Sequence, residues 1–104
     1  MKIKGARNQI IVEGNLTFDN AEQVKEGLLE KLAKVKTDKE VMMDLSRVEA
    51  IDSTGIQLLI AFFKSLENRK IKYKVKSIGD EMLETLELSG LNKFFRVWDM
   101  TSGV

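Results

Sequence analysis

Ile51-Asp52-Ser53-Thr54-Gly55-Ile56 is a short polar hinge set between two apolar stretches. Before it, Val41, Met42 and Met43 are adjacent apolar residues in the segment Glu40–Leu45, as in a central strand covered on more than one side. After it, Ile56, Leu59, Ile60, Phe63 and Leu66 recur at helical spacing, and Leu58 and Phe62 widen the apolar face. The hinge therefore joins a buried strand to a buried helix, the place where a protein commonly sets a functional surface. Asp52 or Ser53 is the expected N-cap. A serine hydroxyl is then held near backbone N–H groups that favour negative charge, which suits a phosphate better than bond-breaking chemistry.

Outward from the hinge, strands and helices alternate. Lys2–Ala6 and Gln9–Glu13 read as two strands turned at Arg7-Asn8, with Gly14-Asn15 closing the second. Asp19-Asn20-Ala21-Glu22 has the form of a capping box. It precedes a helical stripe of Ala21, Val24, Leu28, Leu32 and Val35 that ends near Lys36. Ser46–Ile51 is expected as a loop leading to the hinge. Ile71, Tyr73 and Val75 alternate with Lys70, Lys72, Lys74 and Lys76, giving a half-buried strand with one lysine face. Asp80 is placed to cap a third helix through Met82, Leu83, Leu86 and Leu88, with Gly90 at its end and a short apolar element over Phe94–Met100. Crossovers through helices favour parallel pairing. One lysine-bearing sheet face leaves the helices mainly on the other.

The 104 residues suit one domain spanning 1–104. With 43% hydrophobic residues, 32% charged residues and a net charge of +1, no strong field selects nucleic acid, membrane or acidic substrate. The four lysines share their strand face with no aromatic, since Tyr73 alternates to the other face, so a solvated sheet face is expected rather than a nucleic-acid patch. The run Leu58–Phe63 is far short of a membrane span, and Met1-Lys2-Ile3-Lys4-Gly5 has no signal-like apolar region. No membrane insertion and a cytoplasmic location are expected.

The chain has no Cys, His or Pro. Thiol nucleophiles, Ser-His-Asp triads and zinc sites built on Cys or His are excluded. Ser53 lies in neither a G-x-S-x-G elbow nor an S-x-x-K motif. No P-loop is present. Asp44, at the expected strand end, is read as structural rather than as the catalytic partner of Asp52. No enzyme activity, cofactor or metal is expected. Spacing alone leaves two roles for Ser53 open, a plain cap or a phosphate switch.

Asp44-Leu45-Ser46-Arg47-Val48 followed by Ile51–Ile56 resembles the STAS domain, the module of bacterial anti-sigma factor antagonists. Leu88-Ser89-Gly90-Leu91-Asn92-Lys93-Phe94-Phe95 is similar to that family's ending after its third helix. The resemblance runs from about Gln9 to Val97. It implies an α/β fold: a central mixed β-sheet with helices mainly on one face and an N-terminal strand at the edge. It also implies that a partner Ser/Thr kinase, itself the anti-sigma factor, phosphorylates Ser53, with Thr54 as the runner-up acceptor. Asp52, Ser53, Thr54, Gly55, Gln57, Asn15 and Thr17 are then the partner-binding residues. One position departs from the family's G-x-L-D pattern: in Gly14-Asn15-Leu16-Thr17, threonine stands in place of the aspartate. That departure and the Gln57-containing helix keep a second expectation in play. It is a STAS scaffold of a lipid-transport ABC complex, docked on its ATPase, or of a chemosensory assembly, without a phospho-switch.

Overall fold

The computed structural model describes residues 1–88, apart from the side chains of Glu81 and Leu86. Its elements are β1 (Lys2–Lys4), β2 (Gln9–Leu16), a 3-10 turn (Phe18–Asn20), α1 (Ala21–Lys34), β3 (Val41–Ile51), α2 (Ser53–Asn68), β4 (Tyr73–Ile78) and α3 (Asp80–Leu88). The expected element over Phe94–Met100, the cap at Gly90 and the second family motif beyond Leu88 lie outside the described residues.

The strands form a mixed sheet in the order β1-β2-β3-β4. β1 pairs antiparallel with β2, placing Ile3 opposite Val12, whereas β2–β3 and β3–β4 are parallel. Period-two patterning sets the buried face. Ile10, Val12 and Leu16 of β2, Val41, Met43 and Leu45 of β3, and Val75 of β4 are all buried. They form one core with Val24, Leu28 and Leu32 of α1, with Ile56, Leu59, Phe62, Phe63 and Leu66 of α2, and with Met82 of α3. The helices thus cover one face of the sheet.

The opposite face is polar. Lys4 and Arg47 each approach Glu13 at 3.2 Å, and Lys74 lies 3.6 Å from Glu40. Lys72 and Lys76 are exposed. The lysine strand is displaced from its expected position. Lys70 adopts a φ of 59° in the turn after α2, and β4 begins at Tyr73 rather than at Lys70 or Ile71. Ile71 is nevertheless buried, and Tyr73 stacks on Phe63 with ring centroids 4.6 Å apart.

Both central strands run further than expected. Gly14 does not end β2. It takes a φ of 109° inside the strand, next to a shift in register between Gly14 and Asn15, so the ladder continues to Leu16 opposite Ile51. Ser46–Ile51 is strand, not loop, because β2 extends far enough to pair with it. β1 is shorter than expected, ending at Lys4, and α1 ends at Lys34.

The Arg7-Asn8 turn carries more structure than its composition suggests. Arg7 has a φ of 54°. Asn8 is buried and donates to the carbonyls of Lys36 and Lys39, both at 2.9 Å, while its Oδ1 accepts the Lys36 N–H at 2.8 Å. One side chain thereby fixes the α1–β3 connection against the start of β2.

Candidate functional site

The hinge lies where β3 ends beside the end of β2. Asp52 is in extended conformation, and its N–H donates to the Leu16 carbonyl at 3.2 Å. Its own carbonyl accepts the Ile56 N–H at 3.0 Å, opening α2. The carboxylate then divides. Oδ1 accepts the Gly55 N–H at 3.0 Å, and Oδ2 accepts the Phe18 N–H at 2.9 Å. Asp52 is therefore the N-cap, and it also ties the β2–α1 connection to the start of α2. The Phe18 N–H, followed by the Gly55 N–H, holds its carboxyl below the ordinary value of 3.8, so the capping form is the charged one.

Gly55 is buried in the first turn of α2, against the Leu16 carbonyl. A Cβ at this position would overlap that carbonyl oxygen and press on the Leu16 side chain. Only glycine lets the helix start lie this close to β2.

With Asp52 as cap, Ser53 occupies the first helical position. It is exposed, and its hydroxyl makes no hydrogen bond among the described residues. Thr54 is half-buried. Gln57 is exposed one turn on, along the same helix face as Ser53. On the neighbouring connection, Asn15 is exposed and Thr17 is half-buried. The Asn15 carbonyl accepts Asn20 Nδ2 at 3.0 Å, and the Thr17 carbonyl accepts the Asn20 N–H at 2.9 Å. Asp52 is the bond between these two groups of residues.

The expected capping box is absent. Asp19 falls inside the 3-10 turn rather than before α1, and neither Thr17 nor Asn20 makes a side-chain cap bond. What the box reading obscured is Phe18, which is 73% exposed beside the Asp52 carboxylate that fixes its N–H. An aromatic between a strand end and a turn was the available signal.

Asp44 is mid-strand, not at a strand end. Its Oδ1 accepts both the Ser46 N–H at 2.9 Å and the Ser46 hydroxyl at 2.6 Å, next to a register shift in β3. Partial burial works to raise its pKa, but the Ser46 bonds, with Arg47 and Lys76, outweigh it and the net direction is down. Asp44 and Asp52 share no hydrogen-bond partner. Among the described residues no group of Asp and Glu is arranged to hold a metal ion, and no helix is long and apolar enough to cross a membrane.

Two concavities lie away from Ser53. One, of about 390 Å³, is lined by Val48–Ile51 of β3 with Gly79, Met82 and Thr85. The other, of about 250 Å³, is an apolar groove between α1 and α2 that includes Leu29 and Phe62. Ser53 itself stands on open surface.

The STAS domain family model matches residues 4–102. An anti-sigma-B factor antagonist of Listeria monocytogenes serovar 1/2a is 30% identical over 88 residues, covering 85% of this chain and 75% of the relative. The anti-sigma factor antagonist SpoIIAA in its unphosphorylated form is similar in structure, with a TM-score of 0.66 at 16% identity over 99% of this chain and 96% of that one. The Bacillus cell fate determinant SpoIIAA in its phosphorylated form gives 0.61 at 17% identity over 89% and 86%. These likenesses show the fold.

Proposed function

The chain belongs to the STAS domain family, as a homologue of the anti-sigma factor antagonists, and on that premise we propose that it is a binding module switched by phosphorylation of Ser53. The kinase is its partner, an anti-sigma factor that transfers phosphate from ATP. The observation that carries this reading is the division of labour at the hinge. Asp52 caps α2 through Oδ1 and holds the Phe18 N–H through Oδ2, leaving the Ser53 hydroxyl exposed and without a partner among the described residues. A serine that only capped would spend its hydroxyl on a backbone N–H.

Phosphorylation adds roughly −1.5 to −2 charges. At the first position of α2 the helix dipole, about half a positive charge, offsets part of the repulsion from Asp52, so the fold tolerates the modification. The partner does not. For transfer to occur, the γ-phosphate of its nucleotide must reach Ser53 Oγ. After transfer, the phosphoserine faces the phosphates of the next nucleotide at the same place, and like charges hold the two proteins apart. The unphosphorylated form binds the kinase and releases sigma factor. In this reading the chain acts as a substrate and ligand, not as an enzyme.

The test is reconstitution. The purified protein is incubated with the Ser/Thr kinase of its own gene neighbourhood and ATP. One phosphate on Ser53, located by peptide mass spectrometry, with weakened binding afterwards, is the expected result. A kinase that binds yet modifies neither Ser53 nor Thr54 sinks the proposal. Stable capture of an ABC ATPase or a chemosensory component, unaffected by Ser53→Ala, would establish the scaffold role instead.

A further inference from the structure

We propose that Phe18 is the aromatic anchor of this docking surface, and that its partner presents an apolar socket rimmed by Lys and Arg side chains. The inference rests on the reading of Ser53 as partner-facing and adds to it the chemistry of the partner.

Three observations carry it. The first is exposure: Phe18 is 73% exposed, although the core lies one strand-end away at the fully buried Leu16. A lone exposed apolar side chain is ordinary. This one is on a fixed backbone, which is the second observation. The Phe18 N–H is bonded to Asp52, the Thr17 carbonyl accepts the Asn20 N–H, and Asn20 Nδ2 reaches the Asn15 carbonyl. An aromatic held out on a braced turn loses little freedom on binding, and such side chains dominate the energetics of protein interfaces. Its brace is the same carboxylate that caps α2 beneath Ser53, so anchor and acceptor share one rigid junction.

The third observation is charge. The two segments joined by Asp52, residues 14–24 and 48–63, contain no Lys or Arg. They carry Asp19, Glu22, Glu49 and Asp52. The chain as a whole has a net charge of +1, whereas these segments, with acids at the ordinary density but no Lys or Arg to balance them, are net negative. A surface of this kind is complemented by basic side chains around an apolar socket. The same basic groups would also balance the nucleotide phosphates that must approach Ser53.

The probe is the purified kinase of the reconstitution, loaded with ADP, titrated by calorimetry against wild type, Phe18→Ala, Phe18→Trp and Asp19→Lys. Thermal unfolding of each variant checks the fold; Phe18 contributes little core, so melting temperatures should match. Phe18→Ala is expected to weaken binding about 30-fold or more, the loss typical of a truncated hot-spot aromatic, and Phe18→Trp to retain it within about threefold. Asp19→Lys should weaken binding and flatten its decline with added salt. In phosphorylation assays, Phe18→Ala should raise KM and leave kcat unchanged. If wild type binds and is phosphorylated while Phe18→Ala binds within about twofold of it, the anchor is refuted and the switch stands. Binding indifferent to both salt and Asp19→Lys refutes the basic rim. Self-association of the free protein that Phe18→Ala abolishes would assign the surface to a second copy and overturn the proposal. No binding by wild type refutes the switch and the anchor together.

Discussion

Asp52 Oδ2 accepts the Phe18 N–H at 2.9 Å across 34 positions of sequence, while Oδ1 of the same carboxylate caps Gly55 at 3.0 Å. The side chain that starts α2 thus also holds the β2–α1 connection. A cap that serves two segments makes the helix start and the neighbouring turn one unit. The partner would meet a preformed surface rather than two independent loops.

Asp52→Ala should loosen both segments at once. The Gly55 and Phe18 amides lose their acceptor, and hydrogen exchange at these two positions should rise together, with a lower urea midpoint. The pH dependence has a definite sign. The folded carboxyl titrates below its ordinary 3.8, so its contribution is fully present above the unfolded value and is lost as pH falls through the lower folded value. Protection of the two amides should collapse in that acid window in wild type. Exchange of only one amide in Asp52→Ala would show that the two oxygens act separately.

Gly55→Ala tests the close approach of α2 to β2. The added methyl meets the Leu16 carbonyl, a backbone atom in the middle of the fold that cannot swing aside. A loss of about 2–3 kcal/mol in urea unfolding is expected, at the upper end of overpacking costs. Alanine favours helix over glycine by nearly 1 kcal/mol in an exposed interior. A stabilised Gly55→Ala variant would therefore mean that propensity, not contact, governs this position.

How far the sequence reveals this arrangement depends on what each residue's role requires. The cores of β2, β3 and α2 were legible because burial writes a period into the sequence, as at Ile10 and Val12 or Ile56 and Leu59. The hinge was legible because a cap residue and a glycine before an apolar helix form a short local pattern. The strand ends were not. Gly14 has the composition of a terminator, and only the pairing of Asn15 and Leu16 with Ala50 and Ile51 makes it a bulge. The apparent capping box failed for the same reason. Asp19 had a local partner on paper, but the Phe18 N–H is taken by Asp52, 34 residues away, which draws the chain into a 3-10 turn. Asn8 looked like a turn residue, and its three bonds to the 36–39 connection leave no trace in its neighbours.

Asn8 should accordingly behave as a core residue. Asn8→Ala leaves the Lys36 N–H and the carbonyls of Lys36 and Lys39 without this partner, and about 1–3 kcal/mol of stability should be lost. Asn8→Asp is the sharper test. Its carboxylate can still accept the Lys36 N–H but faces two carbonyls as another acceptor. Burial and those carbonyls would raise its pKa above the unfolded value, so this variant should gain stability relative to wild type as pH falls and the carboxyl becomes a donor. A constant difference between Asn8→Asp and wild type from neutral to acid pH would contradict the bonding pattern.

At Ser53 fold and function should separate. The hydroxyl bonds to nothing among the described residues, so Ser53→Ala should unfold within about 0.5 kcal/mol of wild type, as exposed substitutions do. Ser53→Asp places a carboxylate at the first turn of α2, where the helix dipole favours it and Asp52 opposes it; the two effects are each small and of opposite sign. Its stability should also stay near wild type. Binding to the ADP-loaded kinase should not. Ser53→Ala should bind but accept no phosphate, while Ser53→Asp should bind at least tenfold more weakly, and the deficit should shrink at high salt if like charge is its cause. A deficit that salt leaves untouched would point to bulk at the interface. Equal binding by Ser53→Asp and Ser53→Ala would remove charge at this position from the switch altogether.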